Sequence, residues 1–135
     1  AHNLEGKVLV DVANPLDFSR GFPPTLSVCN TDSLGEQLQR ALPQARVIKA
    51  LNTMWAGIMV DPRRLPGRHL VFLAGNDAAA KATVRQLLAG FGWREDELVD
   101  LGDITAARAT EMLLPIWLRL YGLRGDGAFN LSLVP

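Results

Sequence analysis

Strands and helices alternate along this chain, and three of its strand-length apolar runs end in asparagine. The runs are Val8–Asn14, Val47–Asn52 and Leu70–Asn76, each rich in Val, Leu or Ile and each followed by a loop or a helix start. Runs apolar almost throughout belong to strands covered on both faces, the condition of a parallel sheet. The order β-α-β-(α)-β-α-β-α-β predicts an α/β fold, a mostly parallel sheet flanked by helices. In such sheets ligands bind beyond the carboxyl ends of the strands. Three neutral amides on one edge would suit an uncharged, hydrogen-bonding ligand. Asparagine also forms turns and caps helices, so each of the three carries that plainer reading as well.

Local signals place the elements. The first strand is expected over Lys7–Ala13, with Asp11 inside it, followed by a loop from Pro15 to Thr31 broken by Gly21, Pro23 and Pro24. Ser33 and Glu36 read as a capping box, with Ser33 bonding the Glu36 amide and Glu36 reaching back. The helix they open carries Leu34, Leu38 and Leu42 and stops at Pro43. A second strand spans Arg46–Leu51, and an apolar, irregular stretch runs from Asn52 to Val60. A third strand covers His69–Ala74, and Asn76 or Asp77 caps a helix over Ala78–Ala89 with Ala79, Ala82, Val84, Leu87 and Leu88 on its apolar face. A short strand lies at Glu97–Leu101. Asp103 caps one long helix, Ile104–Tyr121, and Phe129–Val134 alternates enough for an edge strand. The helix is apolar on nearly every side over Met112–Tyr121, so it should be buried on most faces, and Pro115 should kink it.

Two charged residues stand out. Lys49 sits mid-strand, where its ammonium must snorkel or pair, with Asp11 and Glu111 as candidate partners. Glu111 and Arg108 also stand three apart, the spacing of an ordinary helix pair.

At 135 residues the chain fits one domain, residues 1–135, and its 14 basic and 14 acidic residues balance. Without a basic stripe, electrostatics gives no case for nucleic acid. Cys29 is the only cysteine, which suits a reducing, cytoplasmic setting. His2 and His69 stand far apart with no cysteine pair, so no metal-ligand spacing is expected. No apolar run reaches the roughly 20 residues of a membrane span.

A dinucleotide fold opens with Gly-x-Gly-x-x-Gly between its first strand and helix. Neither Gly90-Phe-Gly92 nor Gly125-Asp-Gly127 occupies such a place. Strand edges of the right kind are therefore expected without a phosphate cradle.

Four segments occur in order: Asp11-Val-Ala-Asn-Pro15, Val47-Ile-Lys-Ala-Leu-Asn-Thr53, Ala74-Gly-Asn-Asp77 and Gly102–Glu111. As a set they resemble the later two-thirds of the deazaflavin-dependent NADP oxidoreductases. The resemblance covers nearly the whole chain and implies an incomplete Rossmann-like domain lacking its glycine-rich first portion. It also implies NADP as cofactor, a deazaflavin or another small acceptor as its partner in hydride transfer, and a homodimer through the C-terminal helix. The family segment beside the nicotinamide corresponds to Asn52-Thr53-Met54-Trp55-Ala56, with backbone groups of Met54 and Ala56 meeting the nicotinamide amide. Asn14 and Pro15 would line the same cleft. In the deazaflavin enzymes a histidine stands at the position of Asn52; the asparagine keeps a hydrogen bond but cannot titrate. No catalytic side chain is expected, because in hydride transfer the cofactor carries the chemistry. A non-catalytic Rossmann-like domain for assembly or small-ligand binding is the alternative.

Overall fold

The computed structural model describes residues 2–135. Its sheet has four strands, β1 (Val8–Asp11), β4 (Arg46–Ala50), β5 (Val71–Gly75) and β6 (Leu98–Asp100), side by side in that order. Inside the loop after β1, a two-residue pair, β2 (Leu16–Asp17) and β3 (Thr25–Leu26), runs antiparallel. The helices are α1 (Leu34–Ala41), α2 (Ala56–Met59), α3 (Ala78–Phe91), α4 (Ala107–Glu111) and α5 (Leu114–Arg124).

The sheet is Rossmann-like and mostly parallel, with one reversal. β1 runs parallel to β4, and β5 parallel to β6, but β5 runs antiparallel to β4, with Ala50 opposite Leu73 and Ile48 opposite Gly75. A parallel return usually carries the chain back through a helix laid across the sheet. Between β4 and β5 the chain makes only the four-residue α2 and a 3-10 turn at Pro62–Arg64, and it re-enters the sheet from the edge it left. The reversal corrects the expected common edge for three asparagines: Asn14 and Asn52 share an edge, and Asn76 leaves β5 at the opposite one. There Asn76 Oδ1 accepts the Ile104 N–H at 3.0 Å, and Asp77 caps α3 by accepting the Ala80 N–H at 2.7 Å.

Period-two alternation along β4 decides what each face holds. Ile48 and Ala50 face α3, in a core with Val71, Leu73, Ala80, Val84, Leu88 and Trp93. Val47 faces the other way, with Ile104 and Ala107. Ile48 and Leu73 are wholly buried, and each such side chain contributes about 1.5–3 kcal/mol on leaving water. Gly75 lets β5 approach β4 closely, since a Cβ there would fall 2.3 Å from Ile48 Cδ1 and 2.9 Å from the Val47 carbonyl oxygen.

Other expectations are corrected. The buried face of α3 is Ala80, Val84 and Leu88, while Ala79, Ala82 and Leu87 are exposed. The long C-terminal helix is broken: a 3-10 turn at Ile104–Ala106 leads into α4, and α5 restarts at Leu114 with Pro115 in its first turn. Proline fits there because the first helical N–H groups have no intrahelical partner. α5 is not buried on most faces: Leu114 and Leu118 are buried, whereas Ile116 is 57% and Leu123 84% exposed. Phe129–Val134 forms no strand; the Leu70 N–H donates to the Leu131 carbonyl, and Asn130 Nδ2 to the Leu70 carbonyl. Among the described residues no helix is long and apolar enough to cross a membrane.

Candidate functional site

The parallel strands β1 and β4 bring Asn14 and Asn52 to one edge, and there the two side chains bind each other. Asn52 Nδ2 donates to Asn14 Oδ1 at 2.9 Å, and Asn14 Nδ2 donates to the Asn52 carbonyl at 2.8 Å. Asn52 is buried and Asn14 half-buried. A carboxamide nitrogen carries two N–H groups and the oxygen two lone pairs, so the half-buried Asn14 keeps hydrogen-bonding capacity on its open side. Pro15 is buried, and its carbonyl accepts the Ser27 N–H at 2.8 Å, which ties the loop after β1 to β3.

The other expected site residues are placed differently. Thr53 and Met54 are buried, and Met54 belongs to the core under α3, so its side chain serves packing. Ala56 is exposed at the start of α2. Trp55 is clamped: Arg64 lies over its ring at 5.1 Å, and a Cβ on Gly57 or Gly127 would fall within 2.3 or 2.7 Å of it. The contact with Gly127 brings the C-terminal tail onto this edge, and a cleft of about 240 Å³ opens further along it between Arg68, His69, Arg124 and Asn130.

Two features of the site escaped the sequence. Leu51, just before Asn52, has φ +66°. A branched side chain in the left-handed region is uncommon and costs on the order of 1 kcal/mol or more; an apolar Leu gives no signal of it. The second is how deeply Lys49 is held. Its Nζ lies 2.6 Å from Asp11 Oδ2, 2.8 Å from Glu111 Oε1 and 2.7 Å from the Ala13 carbonyl oxygen, with only 1% of the side chain exposed. Both candidate carboxylates pair with it at once.

Glu111 does not pair with Arg108. Its two oxygens accept the N–H groups of Leu34 and Gly35 at 2.9 and 3.0 Å, where a helix start offers unpaired donors and a partial positive charge. Arg108 reaches instead to Glu36, its Nε 2.9 Å from Glu36 Oε2. Those bonds, with the Ser33 hydroxyl at 2.6 Å, hold the Glu36 carboxyl below its usual range against the opposing effect of burial. Glu36 thus meets the Ser33 hydroxyl rather than its backbone, while Ser33 Oγ accepts the Glu36 N–H as expected.

No family model matches the chain. A solved structure from Arthrobacter sp. FB24, described as a putative F420-dependent NADP-reductase, superposes with a TM-score of 0.94 at 58% identity, covering 99% of this chain and 60% of that one. A hypothetical protein of Sinorhizobium meliloti superposes with a TM-score of 0.55 at 30% identity, over 76% of this chain and 48% of that one. Metalloreductase STEAP3 of Rattus norvegicus is 32% identical over 123 residues, 87% of this chain and 22% of that protein. The chain therefore spans part of the length of each relative. Over that shared length the chain is related to the NADP-dependent reductases, in keeping with the resemblance that its four motifs carry.

Proposed function

We propose that this chain forms the nicotinamide side of an NADP-dependent reductase, which moves hydride between NADP(H) and a deazaflavin or another small acceptor. The observation that carries the reading is the Asn14–Asn52 pair at the carboxyl edge of two parallel strands. The matched Arthrobacter protein, described by F420 and NADP, lends support at 58% identity. A carboxamide is the complement of another carboxamide, offering both a donor and an acceptor, so the open side of Asn14 fits the amide of a nicotinamide. Pro15, Asn52, Thr53, Met54 and Ala56 complete the proposed cofactor-binding set, Met54 and Ala56 through their backbones. The bound nicotinamide supplies the hydride chemistry; the chain's own residues orient the amide and exclude water.

Holding the phosphates is a separate task. Among the described residues β1 ends the four-stranded sheet and has no strand on its outer side, and open edges of this kind accept a further strand. The reading assigns the phosphate-holding glycines to the part of the relatives that this chain does not span. Cys29 as the only cysteine fits a cytoplasmic setting. The alternative, a non-catalytic assembly domain, draws on the exposed Ile116, Tyr121 and Leu123 of α5. Those same residues are where we place a homodimer contact.

Thermal unfolding with and without NADPH tests the function. Ligand at 100 times its Kd stabilises by roughly 2.7 kcal/mol, so a clear rise in Tm is expected. No shift at millimolar NADPH favours the assembly domain.

A further inference from the structure

We infer that the buried Lys49–Asp11 pair positions the nicotinamide-facing amides, and this rests on the functional reading above. The peptide unit of Ala13 is gripped at both ends. Asp11 Oδ1 accepts its N–H at 3.0 Å, and Lys49 Nζ donates to its carbonyl at 2.7 Å. The same lysine closes the ring on the second oxygen of Asp11 at 2.6 Å. Ala13 is followed directly by Asn14, whose side chain is bound to Asn52. Asn52 in turn lies three residues beyond Lys49, just past the end of the strand that carries the lysine. One ammonium therefore fixes both chain segments that deliver the amide pair.

The arrangement does more than stabilise the fold. Burying a lysine against two carboxylates is weak evidence for stability, since well-packed apolar residues often do as well. A fixed geometry is what the ion cluster supplies and an apolar side chain would not, because only hydrogen-bonding groups hold a peptide unit in register. On the far side Glu111 ties the same ammonium to the start of α1 through Leu34 and Gly35. A Cβ on Gly35 would sit 3.3 Å from Lys49 Cε, so a glycine at that position leaves the lysine its place. Lys49 is a positioning residue that acts through Ala13 and Asn14; it has no contact with the reacting atoms in this account.

Asp11→Asn is the informative variant. It keeps the size of the side chain but has a single acceptor oxygen, so it must release either the Ala13 N–H or the lysine. Lys49→Met would leave two buried carboxylates without their cation, so a loss of folding would mask any effect on the amides. Glu111→Gln serves as the comparison, since it disturbs the α1 side of the cluster and leaves both Asp11 contacts in place. The measurement is the position of the Asn14 and Asn52 side-chain amide resonances by NMR, together with the Kd for NADPH and the Tm. Asp11→Asn is expected to move both amide resonances and to weaken NADPH about tenfold, the effect of losing one hydrogen bond to a charged group. Glu111→Gln is expected to lower Tm while leaving the resonances and the Kd near the wild-type values. Unmoved amide resonances in Asp11→Asn, or equal effects of the two variants, would overturn the inference. Failure of the wild-type chain to bind NADPH overturns the functional reading alone; the amide resonances then decide the positioning.

Discussion

Asn14 and Asn52 stand 38 residues apart in sequence and are joined by two hydrogen bonds, one between their side chains at 2.9 Å and one from Asn14 Nδ2 to the Asn52 backbone at 2.8 Å. The pairing is a consequence of topology. β1 and β4 are adjacent and parallel, so residues a few positions past each strand end meet. Both amides are spent partly on each other, which fixes their orientation before any ligand arrives. Such a prearranged pair would suit the amide ligand proposed above, because the cost of ordering the polar groups is met in folding.

Asn52→Ala removes the donor to Asn14 and leaves the Asn14 oxygen without its partner. A loss of about 1–3 kcal/mol in urea unfolding is expected, together with weaker binding of NADPH. A variant of wild-type stability would show that the pair is not formed in solution.

Arg63 and Glu97 make the second prediction. Glu97 is fully buried, and Arg63 Nη2 lies 2.6 and 2.7 Å from its two oxygens, with the Arg94 N–H on one of them at 3.0 Å. Arg63→Ala leaves that carboxylate in the interior without its cation and should cost about 2–4 kcal/mol. Arg63 is itself one-third exposed, so water enters and keeps the loss at the lower end. Arg63→Lys should recover part of it. Chemical denaturation of the three proteins checks the order.

Acid should destabilise the fold in a defined window. Arg40 holds Asp32 at about 2, below the ordinary 3.8, and the Arg108 guanidinium holds Glu36 below 4.5. For Glu97, burial pushes the carboxyl up, but the Arg94 N–H and Arg63 outweigh it, and it too lies below 4.5. Each group binds fewer protons in the folded state than in the unfolded chain, so its contribution is complete above the ordinary values and is lost as pH falls through the lowered ones. The urea midpoint should be level between about pH 7 and pH 5 and then fall towards pH 3. A level profile throughout would contradict these pairings.

The exposed apolar face of α5 gives the fourth prediction. Ile116 and Leu123 are 57% and 84% exposed. If they meet a second copy of the chain, light scattering will give a dimer mass for the wild type and a monomer mass for Ile116→Glu. A monomeric wild type at micromolar concentration contradicts the contact.

Much of this was legible where the signal is local. Ser33, Asp77 and Asp103 cap helix or turn starts because short acceptor side chains at those positions find free N–H groups. Lys49 had to pair, since a mid-strand ammonium covered on both faces has no water. The direction of β5 was not legible, because the apolar run His69–Ala74 reads the same either way; the connection from β4, which lays no long helix across the sheet, decides it. The buried face of α3 was legible only at Val84 and Leu88, since an Ala-rich run gives little contrast in size to mark one face. Glu111 was legible as a candidate partner of Lys49; its bonds to the Leu34 and Gly35 N–H groups at the start of α1 were not, because they join residues far apart in sequence.

The most direct test of the central claim is an NMR titration of the chain with NADPH, following the Asn14 and Asn52 side-chain amides and the backbone of Thr53–Ala56. The account predicts saturable shifts concentrated on those residues. Unchanged signals at millimolar NADPH, or shifts confined to the cleft between Arg68 and Arg124, would contradict it.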